Sequence, residues 1–160
     1  MTRYVDLMFA ADADGVFDLI IDKDAGDFVT TQGLESAELV SLFSDRRARA
    51  DEVADPLKRR GWIGDLVSDV PDDRHGSGFW LYEQRRLTPE VVAGVQFEAE
   101  QALRWQIEDG IAKSHTASVT FNSAKRALFL TVATAVANGS SSSKSYTLAD
   151  ATRTGLLARI

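Results

Sequence analysis

Between Leu87 and Val136 the apolar period changes once, from helical to extended, and that change limits the fold more than any other feature of the chain. Leu87-Thr88-Pro89-Glu90 spells a helix start: a threonine cap, a proline in the first turn, and a glutamate at the positive end of the dipole. Val92, Val95, Ala99, Leu103 and Ile107 share one face, which predicts a single amphipathic helix running to Asp109. Gly110 is placed to end it in a left-handed turn. Beyond it, Ala117, Val119 and Phe121 alternate with Ser118 and Thr120, the period of a half-buried strand. Leu128, Leu130, Val132 and Val136 predict a second, longer strand. The order points to an α+β domain: a small, mostly antiparallel sheet packed with two or three helices.

The flanking segments are read in the same way. Val5 to Phe28 is acidic and short-stranded, and the compact run Val16 to Ile21 has the length and flanks of a buried strand. Leu34 to Arg47 predicts a helix with Leu39, Val40, Leu42 and Phe43 on its later turns. Residues 48 to 60 are charged and irregular, with Pro56 starting a turn or short helix. Asp69 to Gly78 is a loop, and Phe79 to Tyr82 is a strand candidate. Asn138-Gly139 followed by Ser140 to Ser143 has the composition of a flexible linker. It divides a domain at 1–137 from a linker and tail at 138–160, within which Tyr146-Thr147-Leu148 is a last short strand, either released to pair with a partner or closing as an ordinary hairpin on residues 126–136.

Composition removes several function classes. At 160 residues the chain suits one domain able to bury roughly 70% of its unfolded surface. It has no cysteine, so disulfides and thiolate metal sites are out, and only His75 and His115 offer imidazoles, both read as solvent-facing. A net charge of −6 argues against nucleic acid as a partner. No apolar run reaches the ~20 residues that cross a bilayer, and no signal-peptide core follows Met1, so the default is a cytoplasmic product. The aspartates at 12, 14, 18, 22, 24 and 27 invite a calcium reading, but the glycine and glutamate of an EF-hand loop are missing at the required spacing. No phosphate loop, dinucleotide fingerprint or nucleophile elbow occurs. No cofactor, metal or catalytic residue is assigned.

What remains are parts suited to gripping another protein. Phe97 and Trp105 fall opposite the Val92–Ile107 stripe, so either the C-terminal strands cover them or they form a docking surface. Arg46-Arg47 stands at the end of the first predicted helix, where cations complement the dipole. Six of the eighteen basic residues fall between Arg46 and Arg60 with acids interspersed, a mixture that fits intersubunit ion pairs. Trp62, in Gly61-Trp62-Ile63-Gly64-Asp65, is either a core tryptophan in a turn needing glycine torsions or a partner contact.

Several words, in order, resemble the Mu-like phage baseplate family. They are Gly33-Leu34-Glu35-Ser36-Ala37 leading into Ser41-Leu42-Phe43-Ser44-Asp45-Arg46-Arg47-Ala48, then Gly61-Trp62-Ile63-Gly64-Asp65, Gly78-Phe79-Trp80-Leu81, Leu87-Thr88, and Ala102-Leu103-Arg104-Trp105-Gln106-Ile107-Glu108-Asp109-Gly110. The family is similar to the sheath-initiator wedge proteins of contractile tails, some of which carry a "tail lysozyme" label. The Glu-Pro-Arg word of that wider group is not intact; Glu83-Gln84-Arg85-Arg86 lies in roughly its place. The resemblance implies a non-enzymatic baseplate component of the virion, assembled in the host cytoplasm, with six copies expected from tail symmetry. It implies contacts with tail sheath protein, baseplate wedge proteins and the tail tube or hub, and C-terminal strands extending a sheet toward a partner. The residues expected at partner contacts are Arg46, Arg47, Trp62, Asp65, Phe97, Trp105, Tyr146 and Leu148. The alternatives are a lysozyme-like wall-degrading tail enzyme, which needs a raised carboxylic acid facing a second carboxylate, and a generic soluble adaptor.

Overall fold

A computed structural model of the chain describes residues 6–11, 17–31, 34–67, 74–83, 85–122, 127–136, 139 and 141–148. Residues 12–16, the loop around Pro71, Asn138 and everything after Leu148 lie outside the described residues. The centre is a three-stranded antiparallel sheet of β7 (Ala112–Asn122), β8 (Ala127–Val136) and β9 (Ser141–Leu148), in that spatial order. On its inner face Val119 pairs across from Leu130, which pairs across from Tyr146, and Leu128 lies opposite Leu148. Helix α2 (Pro89–Ala102) covers that face, with Val91, Val95, Ala99 and Ala102 buried against it. Helix α1 (Glu35–Phe43) adds Leu42 to the same core, and Phe43 meets Tyr146 edge-on at 5.4 Å. The α+β reading holds. No described helix is long and apolar enough to cross a membrane.

The start of α2 is as the sequence dictates: Thr88 Oγ1 accepts from Val91 N, Pro89 opens the first turn and Glu90 follows. The end differs. Leu103 breaks the helix, and a separate turn, α3 (Arg104–Glu108), follows at a new phase. The buried side chain is therefore Gln106 rather than Ile107, which is exposed. Gly110 does terminate the run, at φ +70°.

Four other expectations change. Helix α1 stops at Phe43 and Ser44 is extended, so Arg46-Arg47 is not at a helix end. Phe79–Tyr82 is a 3-10 turn, not a strand; it drops Phe79 into the core beside Phe43. Ser141 to Ser143, read as linker, is the start of β9, paired with Ala133 to Ala135. A strand against a formed neighbour satisfies its amides whatever its side chains, which overrides a serine-rich composition. The sheet is thus continuous across the 137/138 division, and β9 closes on its own domain as a hairpin with β8. Finally, of the run ending at Ile21, the described strands are extended, with Leu19 and Ile20 half-buried and Ile21 exposed.

That last segment belongs to an N-terminal arm of six short strands: β1 (Asp6–Leu7), β2 (Phe9–Ala11), β3 (Phe17–Leu19), β4 (Ile21–Asp22), β5 (Asp27–Phe28) and β6 (Thr30–Thr31). They pair β1 with β6, β2 with β3, and β4 with β5, so three chain segments make three two-stranded legs. The legs meet in a closed ring of bonds: Met8 N to Val29 O, Val29 N to Ile20 O, and Ile20 N to Met8 O, at 2.9–3.0 Å. Ribbons this narrow have no second layer to cover them, so Ile21 is 58% exposed. Ser36 Oγ donates to Leu7 O and ties the arm to α1.

A buried polar chain joins α1 to the sheet. Glu38 accepts from Thr134 Oγ1 at 3.0 Å and from Lys144 Nζ at 3.2 Å, and Thr134 Oγ1 meets His115 Nδ1 at 3.0 Å. Since the hydroxyl proton goes to the carboxylate, the Nδ1 proton must come from the ring, leaving Nε2 a buried atom without a partner. His115 is therefore half-buried, not solvent-facing, and burial pushes its pKa below 6.5, with the Glu38 charge opposing. A depressed imidazole contributes stability that is present above its unfolded pKa and lost as pH falls through the window below it. Thermal unfolding followed across that window should show melting temperature falling below pH 6.5. A His115→Gln variant should flatten that dependence.

Candidate partner-contact surface

The segment from Ser44 to Leu66 has little regular structure, and its carbonyls need donors. The arginines supply them. Arg46 is buried, and its guanidinium forks onto two carboxylates at once. Nε and Nη2 reach Glu98 Oε2 and Oε1 at 3.0 and 2.8 Å, while Nη1 and Nη2 reach Glu52 Oε2 and Oε1 at 2.9 and 2.8 Å. Two bidentate pairs on one planar group are a geometry only arginine offers. Glu98 also accepts from Gly78 N at 2.9 Å, and Glu52 from Arg49 N at 2.8 Å. Trp80 Nε1 donates to Arg46 O at 2.9 Å, and Arg46 N to Ser77 O at 2.9 Å. The Arg46 charge holds the Glu52 carboxyl at about 2, and Glu52 in turn raises the guanidinium further above its ordinary range.

The other cations of the cluster act on the same loop. Arg47 donates to Pro56 O at 3.2 Å and Arg60 O at 3.3 Å, and Arg59 to Val53 O and Ala54 O at 2.7 and 3.0 Å. Arg60 bridges Asp45 at 3.3 Å and Glu83 at 3.1 Å over the Trp80 ring. Arg49 pairs with Asp51 and Glu52, and Lys58 with Asp55. The mixed charges expected to reach across subunits thus serve the chain's own fold, because an irregular loop must find its donors locally.

What this bracing presents is apolar. A 3-10 turn, Ile63–Leu66, follows Trp62. Trp62, Ile63 and Val67 are 59%, 76% and 78% exposed, and Leu57 on the preceding turn is almost wholly so. Trp62 is not a core residue: its ring meets His75 edge-on at 5.7 Å. Gly61 takes φ +94°, and Gly64 lies so close under the indole that a Cβ there would sit 2.0 Å from the ring. The glycine pair lets the tryptophan lie back on the turn. Asp65 fixes the turn to the next segment by accepting from His75 N at 3.2 Å, and its other carboxylate oxygen is buried without a partner.

The remaining candidates separate. Phe97 stands out from α2, 55% exposed, as its phase implies. Trp105 does not share that surface. The break at Leu103 turns it toward α1, where its Nε1 donates to Ser41 Oγ at 3.0 Å. Tyr146 packs on Phe43 and Leu148 is 2% exposed, so both side chains face the core. Sequence reading missed Glu52, Glu98, Ser77 and Trp80. One signal was available: Val91, Val95, Glu98 and Ala102 lie on one face of α2, and an acid in such a stripe requires a buried cation.

Comparison with known proteins decides the family. The family described as phage protein GP46 matches residues 34–141. The chain belongs to it. A protein described as Mu-like prophage FluMu protein gp46 of Haemophilus influenzae is 28% identical over 133 residues, covering 83% of this chain and 89% of that one. The baseplate protein gp46 of Escherichia phage Mu is 38% identical over 87 residues, 53% of this chain and 58% of its own length. The reading of the sequence as a structural, non-enzymatic phage baseplate protein therefore stands.

Two outcomes follow from this geometry. Arg46→Ala should destabilise the domain by about 3–5 kcal/mol in denaturant unfolding, because it strands a buried carboxylate, and Arg46→Lys should recover only part of it. A carboxyl lowered from 4.5 to about 2 contributes stability above 4.5 that is lost as pH falls toward 2, so Glu52→Gln should weaken acid sensitivity in that window. The two aromatics should also part company: Phe97→Ser should leave melting nearly unchanged, while Trp105→Ala should cost about 3 kcal/mol as a packed aromatic.

Proposed function

We propose that this chain is a sheath-initiator-like component of a contractile tail, linking the baseplate wedge and tube to the first ring of sheath. Within this reading the sheath subunit adds a strand to the outer edge of β9, and the Trp62–Ile63–Val67 turn and Phe97 rest on wedge proteins. Six copies follow from the symmetry of such tails, with the tube or hub as a further neighbour.

The edge of β9 carries the proposal. At the opposite edge, β7 is covered by α2, and Glu100 Oε1 accepts from Ala117 N at 3.4 Å. Beyond β9 no strand lies among the described residues. Because Ala117 points its amide away from β8, alternation along the ladder turns the amides of Ser143, Ser145 and Thr147 outward from β9. These positions carry no charge and no proline, the usual guards of an exposed edge. A strand added there is held by main-chain bonds and makes little demand on side chains, which suits a template that starts a polymer.

Ser145→Pro tests the edge. It removes one outward donor while leaving the amides that face β8, the one orientation in which proline is tolerated in a strand. The variant should fold and enter baseplates but seed little or no sheath in electron micrographs of purified particles. Sheath of normal length on such particles would sink the proposal.

A further inference from the structure

The chain's charge is not evenly spread. Residues 1–31 hold seven aspartates against Arg3 and Lys23, a net of −5, while the remaining 129 residues are within one charge of neutral. Of these acids, Asp18, Asp22, Asp24 and Asp27 lie on the three-legged arm and are all exposed. The arm also exposes Leu7, Met8, Ile21 and Phe28: Met8 belongs to the ring of bonds at its centre, Leu7 precedes it, and the other two face each other across one leg. An acidic segment built for solubility alone has no reason to hold four large apolar side chains in solvent beside its carboxylates. The combination matches an interface with an apolar centre and charged surroundings.

We infer that the N-terminal arm is a second docking element, and that its occupant is a basic protein surface bearing apolar pockets within the same baseplate. Charge excludes the simpler occupant, a second copy of this chain: two arms would repel, and the rest of the chain offers no basic excess, its arginine cluster being engaged internally. The family match begins at residue 34, just after the arm. The inference rests on the baseplate assignment but not on strand addition at β9.

The carboxylates can be neutralised without disturbing the arm. Asp22 Oδ1 accepts from Asp24 N and Ala25 N, Asp18 Oδ1 from Leu19 N and Asp27 Oδ1 from Phe28 N, all bonds that an asparagine oxygen can make. The test uses the full-length chain supplied in trans to a phage whose own copy is inactivated. Copies per particle are counted by quantitative mass spectrometry of purified tails. A quadruple Asp→Asn variant at 18, 22, 24 and 27, and separately Ile21→Ser with Phe28→Ser, should each lower incorporation about tenfold with circular dichroism and melting unchanged. Added salt during assembly should reproduce the charge variant's loss in the wild type. Normal incorporation of either folded variant would overturn the inference, as would incorporation indifferent to salt. Particles that contain the arm variants at normal level but lack sheath would place the arm at the sheath contact and overturn it too. Loss of incorporation here leaves the β9 proposal standing, because that one predicts incorporated protein without sheath.

Discussion

One guanidinium determines how the middle of this protein is arranged. Arg46 must be buried to hold Glu98 on α2, and once buried it requires a second carboxylate, which Glu52 brings from the loop. The backbone has to leave the helix at Ser44 to deliver it, Ser77 has to pair beside it, and Gly78 must lack a side chain where the Glu98 carboxylate lies 2.4 Å from any Cβ. A buried charge with two partners is not a strong source of net stability, since desolvation offsets most of the attraction. Its effect is specificity: few other conformations of residues 44–80 satisfy all three charged groups together.

The division between rigid and exposed parts follows from this. The loop from Arg47 to Arg60 owes its shape to arginine bonds onto its own carbonyls, not to a core. It can therefore hold Trp62, Ile63 and Val67 out in solvent without losing its conformation. A surface that is already ordered loses less entropy on binding. The protein combines this braced turn with a sheet beyond whose far edge no strand lies among the described residues, and with an arm whose charge differs from the rest.

Those parts were unequally legible from sequence. The start of helix α2 and the existence of strands β7 and β8 were legible, because capping chemistry and apolar period act locally and agree, whereas the break at Leu103 was not. The end of α1, the turn at Phe79 and the placement of Trp105 were not, since each is fixed by a residue far along the chain: Ser77, Phe43 and Ser41. The serine start of β9 was misread because a strand's pairing with its neighbour leaves little trace in side-chain composition. Among the site residues, exposure of Trp62 and Phe97 agreed with one of the readings left open for each. Arg46 and Arg47 stand out by their rigid fork, and within this chain those forks hold Glu52, Glu98 and the carbonyls of Pro56 and Arg60.

The ladder between β8 and β9 is eight pairs long and antiparallel, and Lys144 in its middle is tethered to Glu38 on α1. Its response to force depends on direction. A pull along β9 loads all of the ladder's bonds together, in shear, and must also break the half-buried Lys144 tether. A pull across the sheet would open the pairs one at a time from an end. In the proposed role, a strand added alongside β9 would load it along the strand, the direction in which this ladder resists tension most.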